Sequence, residues 1–214
     1  MKKYIKIVLC LALCSCVFCS CSNDNTQDIK TDVTNSALSK YQGESVSNSY
    51  ENKYLCLGFN LPEKWRFYTD KEIEKIFGVA KSSVSEETND IMDSSSYFFD
   101  MCATSADLKS SVNVVIEEKT EGTMGLSPQK LAQNAAKLVK SEYEKIYDSS
   151  DIEQKEIKIG EKTYFGYDVK CEYEKMPLYQ RAFLIDTENH VATITITAVS
   201  SEELDIMIKS FYNI

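Results

Sequence analysis

Histidine, tryptophan and arginine are nearly missing from this chain of 214 residues, which holds His190, Trp65, Arg66 and Arg181 as the sole members of their kinds. A single histidine excludes the multi-histidine donor sets of catalytic zinc and leaves one imidazole for any triad. No G-x-S-x-G turn, P-loop, dinucleotide-binding glycine run or EF-hand loop occurs, so the local signatures of acyl transfer, nucleotide binding and calcium binding are lacking. The many carboxylates show no spacing that singles out an acid and a base. No cofactor is called for. Nor is any apolar run long enough to span a bilayer, which takes about 20 residues.

Cysteine is plentiful but unevenly placed. Of the eight, Cys10, Cys14, Cys16, Cys19 and Cys21 crowd into the first 21 residues. There Lys2, Lys3 and Lys6 precede a short apolar segment that ends at Ser22-Asn23-Asp24-Asn25, the pattern of a secretory signal. Val17-Phe18-Cys19-Ser20-Cys21 resembles a bacterial lipoprotein signal, in which a small residue precedes the cysteine that is lipidated and becomes the new N-terminus. Cys21 is the expected lipidation site. Leu13-Cys14-Ser15-Cys16 repeats the logic, and Cys16 ranks second because cleavage there leaves Val17-Phe18 beside the anchor. Two acyl chains supply on the order of 20 kcal/mol of membrane affinity, where one chain binds only marginally. The expected location is the cell membrane, on its extracytoplasmic face.

Loss of residues 1–20 removes three lysines and no acid, taking the formal charge from −9 to −12, with 21 basic against 33 acidic side chains. Such a chain is repelled by phosphate backbones, so nucleic acid is not an expected partner. Residues 21–52 comprise the modified cysteine and a stretch rich in Ser, Asn, Thr, Asp and Gln without a hydrophobic period, which reads as a flexible tether reaching about 30 Å. Residues 53–214 then form one domain, long enough to bury close to 70% of its unfolded surface.

Within that domain residues 54–61 alternate in strand fashion up to Pro62, and residues 65–68 read as a second short extended piece. Thr69-Asp70-Lys71-Glu72 is a capping box, opening a helix that Gly78 is expected to stop. A helix is expected over 85–93 and strands over 97–103 and 111–118. Ser127-Pro128 starts the longest helix, in which Leu131, Ala135, Leu138, Val139, Tyr143, Ile146 and Tyr147 share a face with Glu142 as the polar interruption. Strands follow over 152–159, 163–174, 178–186 and 190–199. Ser200 and Glu203 cap a last helix whose apolar face is Leu204, Met207, Ile208 and Phe211. Hairpin-linked strands with separate helices make an α+β domain, an antiparallel sheet covered by helices.

Cys56, Cys102 and Cys171 cannot all pair within one chain and lack the spacing of a zinc or redox site. Cys171 falls on the apolar side of an alternation and reads as a small buried hydrophobe. His190 opens a strand after a turn, with no nucleophile signature to accompany it. Trp65 and Arg181 are the candidate interaction residues. Trp65 with Arg66, Phe67 and Tyr68 could form an aromatic platform, but a core anchor is the preferred reading because Trp65 follows a strand-ending proline. Arg181 lies mid-strand among Tyr179, Phe183 and Ile185 and needs either a structural ion partner or an anion.

Gly58-Phe59-Asn60-Leu61-Pro62-Glu63-Lys64-Trp65, the Ser127-Pro128 helix start, residues 159–166, residues 178–185 and Ile194-Thr195-Ile196-Thr197 resemble a group of uncharacterised lipoproteins of low-GC Gram-positive bacteria. Their element order is similar to that of PsbP-like domains, the α/β/α sandwich of a photosystem II extrinsic subunit. The resemblance implies a noncatalytic binding or assembly role toward a protein or envelope component. The alternative is a small hydrolase or ligand carrier whose pocket is assembled from scattered residues.

Overall fold

The computed structural model of the chain describes residues 39–81, 96–173 and 175–214. Cys16, Cys21, the signal segment, the start of the tether and the helix expected over 85–93 lie outside the described residues. The order is a 3-10 turn (Ser39–Tyr41), β1 (Glu44–Val46), β2 (Ser49–Asn52), β3 (Leu57–Asn60), β4 (Trp65–Phe67), α1 (Asp70–Lys81), β5 (Tyr97–Ser105) and β6 (Ser111–Glu118). Then come α2 (Pro128–Ile146), β7 (Ser149–Ile159), β8 (Lys162–Tyr173), β9 (Met176–Asp186), β10 (His190–Ala198), α3 (Ser201–Ile208) and β11 (Phe211–Asn213). No helix among the described residues is long and apolar enough to cross a membrane.

Seven strands form one antiparallel sheet in the order β4-β5-β6-β10-β9-β8-β7, and four short ones form a second, β1-β2-β3-β11. The fold is α+β, as the hairpin pattern implied. One face of the large sheet, with Val112, Val114, Ile116, Ile194 and Ile196, packs against Leu57, Phe59 and Phe211 of the small sheet and Leu204 and Met207 of α3. The opposite face receives α2 over β7, β8 and β9, where Leu131, Ala135, Val139 and Tyr143 meet Tyr167, Val169 and Cys171. β8 and β9 approach so closely at Gly166 that a Cβ there would lie 2.0 Å from the Ala182 carbonyl oxygen.

The helix starts follow their local chemistry. Lys130 N–H donates to Ser127 Oγ at 3.2 Å, and Pro128 fills a first-turn position that needs no donor. Thr69 N–H donates to Glu72 Oε2 at 3.0 Å and Glu72 N–H to Thr69 Oγ1 at 3.4 Å, closing the capping box. Glu203 N–H likewise donates to Ser200 Oγ at 3.2 Å.

Four boundaries differ from the sequence reading. The expected tether ends too late: residues 44–52 form β1 and β2, and Tyr50 and Asn52 are wholly buried. Isolated apolar residues without a period gave no local sign of this, because the contacts that order them come from distant strands. β3 is confined to Leu57–Asn60, since residues 53–56 turn and Cys56 takes a left-handed φ of 52°. α1 runs through Gly78 to Lys81, the modest helical penalty of one glycine being too small to end it. Phe211 belongs to β11 rather than to the last helix, its ring 4.7 Å from Phe59 and 5.6 Å from Phe183.

Candidate functional site

Alternation along β10 sorts its side chains between the two layers. Ile194 and Ile196 enter the core under the small sheet, so Thr193, Thr195 and Thr197 turn to the α2 side. Register carries the polarity across neighbouring strands. Thr195 pairs with Asn113 of β6, while Thr197 pairs with Ser111 of β6 and Gln180 of β9. Glu117 lies further along the same face of β6, opposite Val191 and Tyr97. The result is a contiguous hydrogen-bonding surface inside the protein, with Thr195 at 0%, Thr193 and Gln180 at 2% and Asn113 at 3% exposure.

Buried polar atoms are normally matched, and part of this face obeys that rule. Tyr143 OH of α2 donates to Gln180 Oε1 at 2.8 Å, and Gln180 Nε2 donates to Thr197 Oγ1 at 3.4 Å. Asn113 breaks it: its Oδ1 is buried and has no hydrogen-bond partner. Cys102, the β5 neighbour of Asn113, is held as a thiol because burial pushes its pKa up, with Asp100 adding to the shift.

The groups with reactive side chains are spent elsewhere. His190 is 4% exposed, on the face opposite the threonines, with Nδ1 2.9 Å from Tyr54 OH and its ring 4.3 Å from that of Tyr41. Burial lowers its pKa, holding the imidazole neutral. Asp100 sits at the irregularity of β5 between Phe99 and Met101 and accepts from Gly43 N–H at 2.8 Å, Asn52 Nδ2 at 2.6 Å and Tyr50 OH. Burial still raises its pKa against those three donors, and it drives that of Tyr50 well up too. This carboxyl fastens β2 and the chain before it to the large sheet.

Arg181 donates through Nε and Nη2 to both oxygens of Asp168 on β8, and through Nη1 to Asp205 of α3, each at 2.7 Å. Its charge is thus matched within the fold, and these partners raise its pKa further. Trp65 is half-buried and packs on the core beneath the small sheet, so it anchors β4. The structure does not bring the two together, since β5, β6 and β10 lie between their strands. Among the described residues Cys56 is an exposed free thiol, Cys102 and Cys171 are buried free thiols, and no cluster of three or more metal-ligating side chains occurs.

No family model and no curated protein matches the chain. Among the solved structures that resemble it, two are weakly similar. LpqN, involved in cell envelope biogenesis of Mycobacterium tuberculosis, is 10% identical with a TM-score of 0.42, covering 73% of this chain and 82% of that one. PA94 of Pseudomonas aeruginosa, a protein of unknown function, is 18% identical with a TM-score of 0.31, covering 45% of this chain and 63% of that one, less than two thirds of its length. At these values neither likeness carries an argument about function, and the similarity to PsbP-like domains finds no matching family.

Sequence reasoning missed both the Asp100 fastening and the polar face. The alternation of Thr193, Thr195 and Thr197 with Ile194 and Ile196 was visible, yet threonines on an antiparallel strand ordinarily face water. Only the register of β6, β10 and β9 places Asn113 and Gln180 beside them.

Proposed function

We propose that the chain is a lipid-anchored extracytoplasmic domain, held at the membrane through Cys21, that binds a component of the cell envelope without transforming it. The observation that carries the reading is the commitment of its reactive groups. The imidazole of His190 is packed among phenols, Arg181 is saturated by two carboxylates, and the thiols of Cys102 and Cys171 are held protonated. The net charge of the mature chain opposes nucleic acid.

A second reading, a ligand carrier, is favoured over a hydrolase by the buried polar face, since that face supplies binding groups and no activated nucleophile. Labelled palmitate should enter the wild type and not the Cys21→Ala variant. Label persisting in Cys21→Ala but lost in Cys16→Ala would move the anchor to the earlier cysteine. Crosslinking in native membranes followed by mass spectrometry should recover a bound envelope component unchanged; its turnover by the purified chain would overturn the noncatalytic reading.

A further inference from the structure

Imidazole is the side chain that ordinarily changes charge between pH 5 and 8, and this chain has a single copy, His190. Two distant segments close over it. Tyr54, in the turn between β2 and β3, places its hydroxyl 2.9 Å from Nδ1 and 2.7 Å from Thr187 Oγ1, and the His190 backbone N–H donates to that same Thr187 oxygen at 3.0 Å. Tyr41, at the end of the 3-10 turn that opens the described residues, lays its ring 4.3 Å from the imidazole and 4.7 Å from that of Tyr54. Lys40 holds its ammonium 4.7 Å from the Tyr41 ring. The charges facing His190 are those of Glu118, its register partner on β6, and of the cations Lys40 and Lys119, the latter paired with Asp186 at 2.5 Å. A second proton on the imidazole therefore meets phenol rings and two ammonium groups against the Glu118 carboxylate.

We propose that His190 is a proton-operated latch for the N-terminal segment: with the ring neutral, Tyr41 lies on it and fixes the direction in which the chain leaves the domain, and with the ring protonated, the Tyr41 side chain, Ser39 and Lys40 swing free. The release has a physical stop. Tyr41 O accepts from Asn52 Nδ2 at 2.8 Å and Gly43 N–H donates to Asp100 Oδ1 at 2.8 Å, so the chain from Gly43 onward stays fastened. Burial lowers the pKa of His190, Glu118 opposes that shift, and Lys40 and Lys119 add to it. A folded value below the ordinary 6.5 means that docking is complete above pH 6.5 and is lost as pH falls through the folded value. Asp100 acts with the opposite sign, because burial raises its pKa and its contribution grows as pH falls. The latch goes beyond the binding reading and does not depend on it; its consequence does, since the freed end is the one that leads back to Cys21.

Linkage makes the test reciprocal: if protonation frees Tyr41, removal of Tyr41 must ease protonation. One histidine gives one imidazole resonance, so proton NMR of the untagged full chain in mild detergent reads its titration directly. The wild-type midpoint should lie below 6.5, and Tyr41→Ala should move it up toward 6.5. Cleavage after Lys40 by the lysine-specific endoproteinase Lys-C, followed by mass spectrometry, reads the segment itself. Relative to His190→Phe at the same pH, which cancels the pH dependence of the protease and of Asp100, that cleavage should rise at least about threefold between about pH 7.5 and 5.5. His190→Phe keeps a ring under Tyr41 and leaves Tyr54 its bond to Thr187; should it not fold, the NMR comparison decides alone. Equal midpoints in wild type and Tyr41→Ala, a wild-type midpoint at or above 6.5, or a cleavage ratio constant with pH overturns the latch. Palmitate labelling of Cys21 is untouched by these outcomes, so the anchor reading stands or falls separately.

Discussion

Arg181 and Asp168 are cross-strand partners whose side chains close a two-point bond, Nε to Oδ1 and Nη2 to Oδ2, both at 2.7 Å. With Asp205 of α3 on the remaining nitrogen, the guanidinium ties helix to sheet in the layer where Phe183 and Ile185 are buried. Two-point pairing with a fixed planar fork is the strong form of the ion pair.

Removing the arginine alone should therefore hurt more than removing the pair. Arg181→Ala leaves Asp168 beside Lys155 only, at 3.6 Å, and should cost about 2–3 kcal/mol in urea unfolding, discounted for the partial exposure of Asp168. Arg181→Met with Asp168→Leu should recover more than half of that. A loss below about 0.5 kcal/mol for Arg181→Ala would mean the pair is solvated and without structural weight.

The N-terminal boundary can be tested by truncation. A chain beginning at residue 39 should keep the stability of the longer form, whereas Tyr50→Ala, which empties a wholly buried ring site and removes a donor to Asp100, should cost about 3 kcal/mol or more. Equal stability of Tyr50→Ala and wild type would restore residues 39–52 to the tether.

Acid should expose the capping box of α1. Arg66 donates to both oxygens of Glu72 at 2.9 and 2.7 Å, and this pairing, aided by Thr69, lowers the carboxyl from an ordinary 4.5 to about 2. A folded pKa below the unfolded one means stability that is present above pH 4.5 and lost as pH falls toward 2. Thermal midpoints of Glu72→Gln should decline less steeply over that interval than those of the wild type; parallel curves would show that the exposed pair contributes nothing.

Thiol labelling should divide the three cysteines. Cys56 is exposed and should react with a maleimide in the native chain, while Cys102 and Cys171 should react only after denaturation. Cys171 lies under α2, and burial pushes its thiol up to about 12, so both access and thiolate are lacking. Fast native labelling of Cys171, or a disulfide between any two, contradicts this.

The large sheet was legible in the sequence because β6 to β10 alternate over eight or more residues and end at turn residues, as at Gly160 and at Glu188-Asn189. β1 and β11 have three residues each, too few to carry a period, and β11 was read as helix because Phe211 continues the spacing of Leu204 and Met207. Arg181 was legible as a charge in need of a partner, since apolar residues flank it on its own side; that Asp168 and Asp205 supply it depends on how β8 and α3 pack. Asn113 carried no sign at all. It stands between Val112 and Val114, like any polar residue on the outer side of a strand, and α2 begins fifteen residues beyond it in the chain.

Among the described residues β7 is the outer strand of the large sheet, and alternate members of its eleven residues turn backbone groups away from β8, an edge long enough to recruit another chain. Its outward groups are charged: Asp151, Glu153, Lys155, Glu156 and Lys158 are all exposed. A second copy adding there would have to desolvate this row of charged side chains. Copies crowded side by side therefore keep their sheets from fusing, and local concentration can rise without turning neighbours into a fibril.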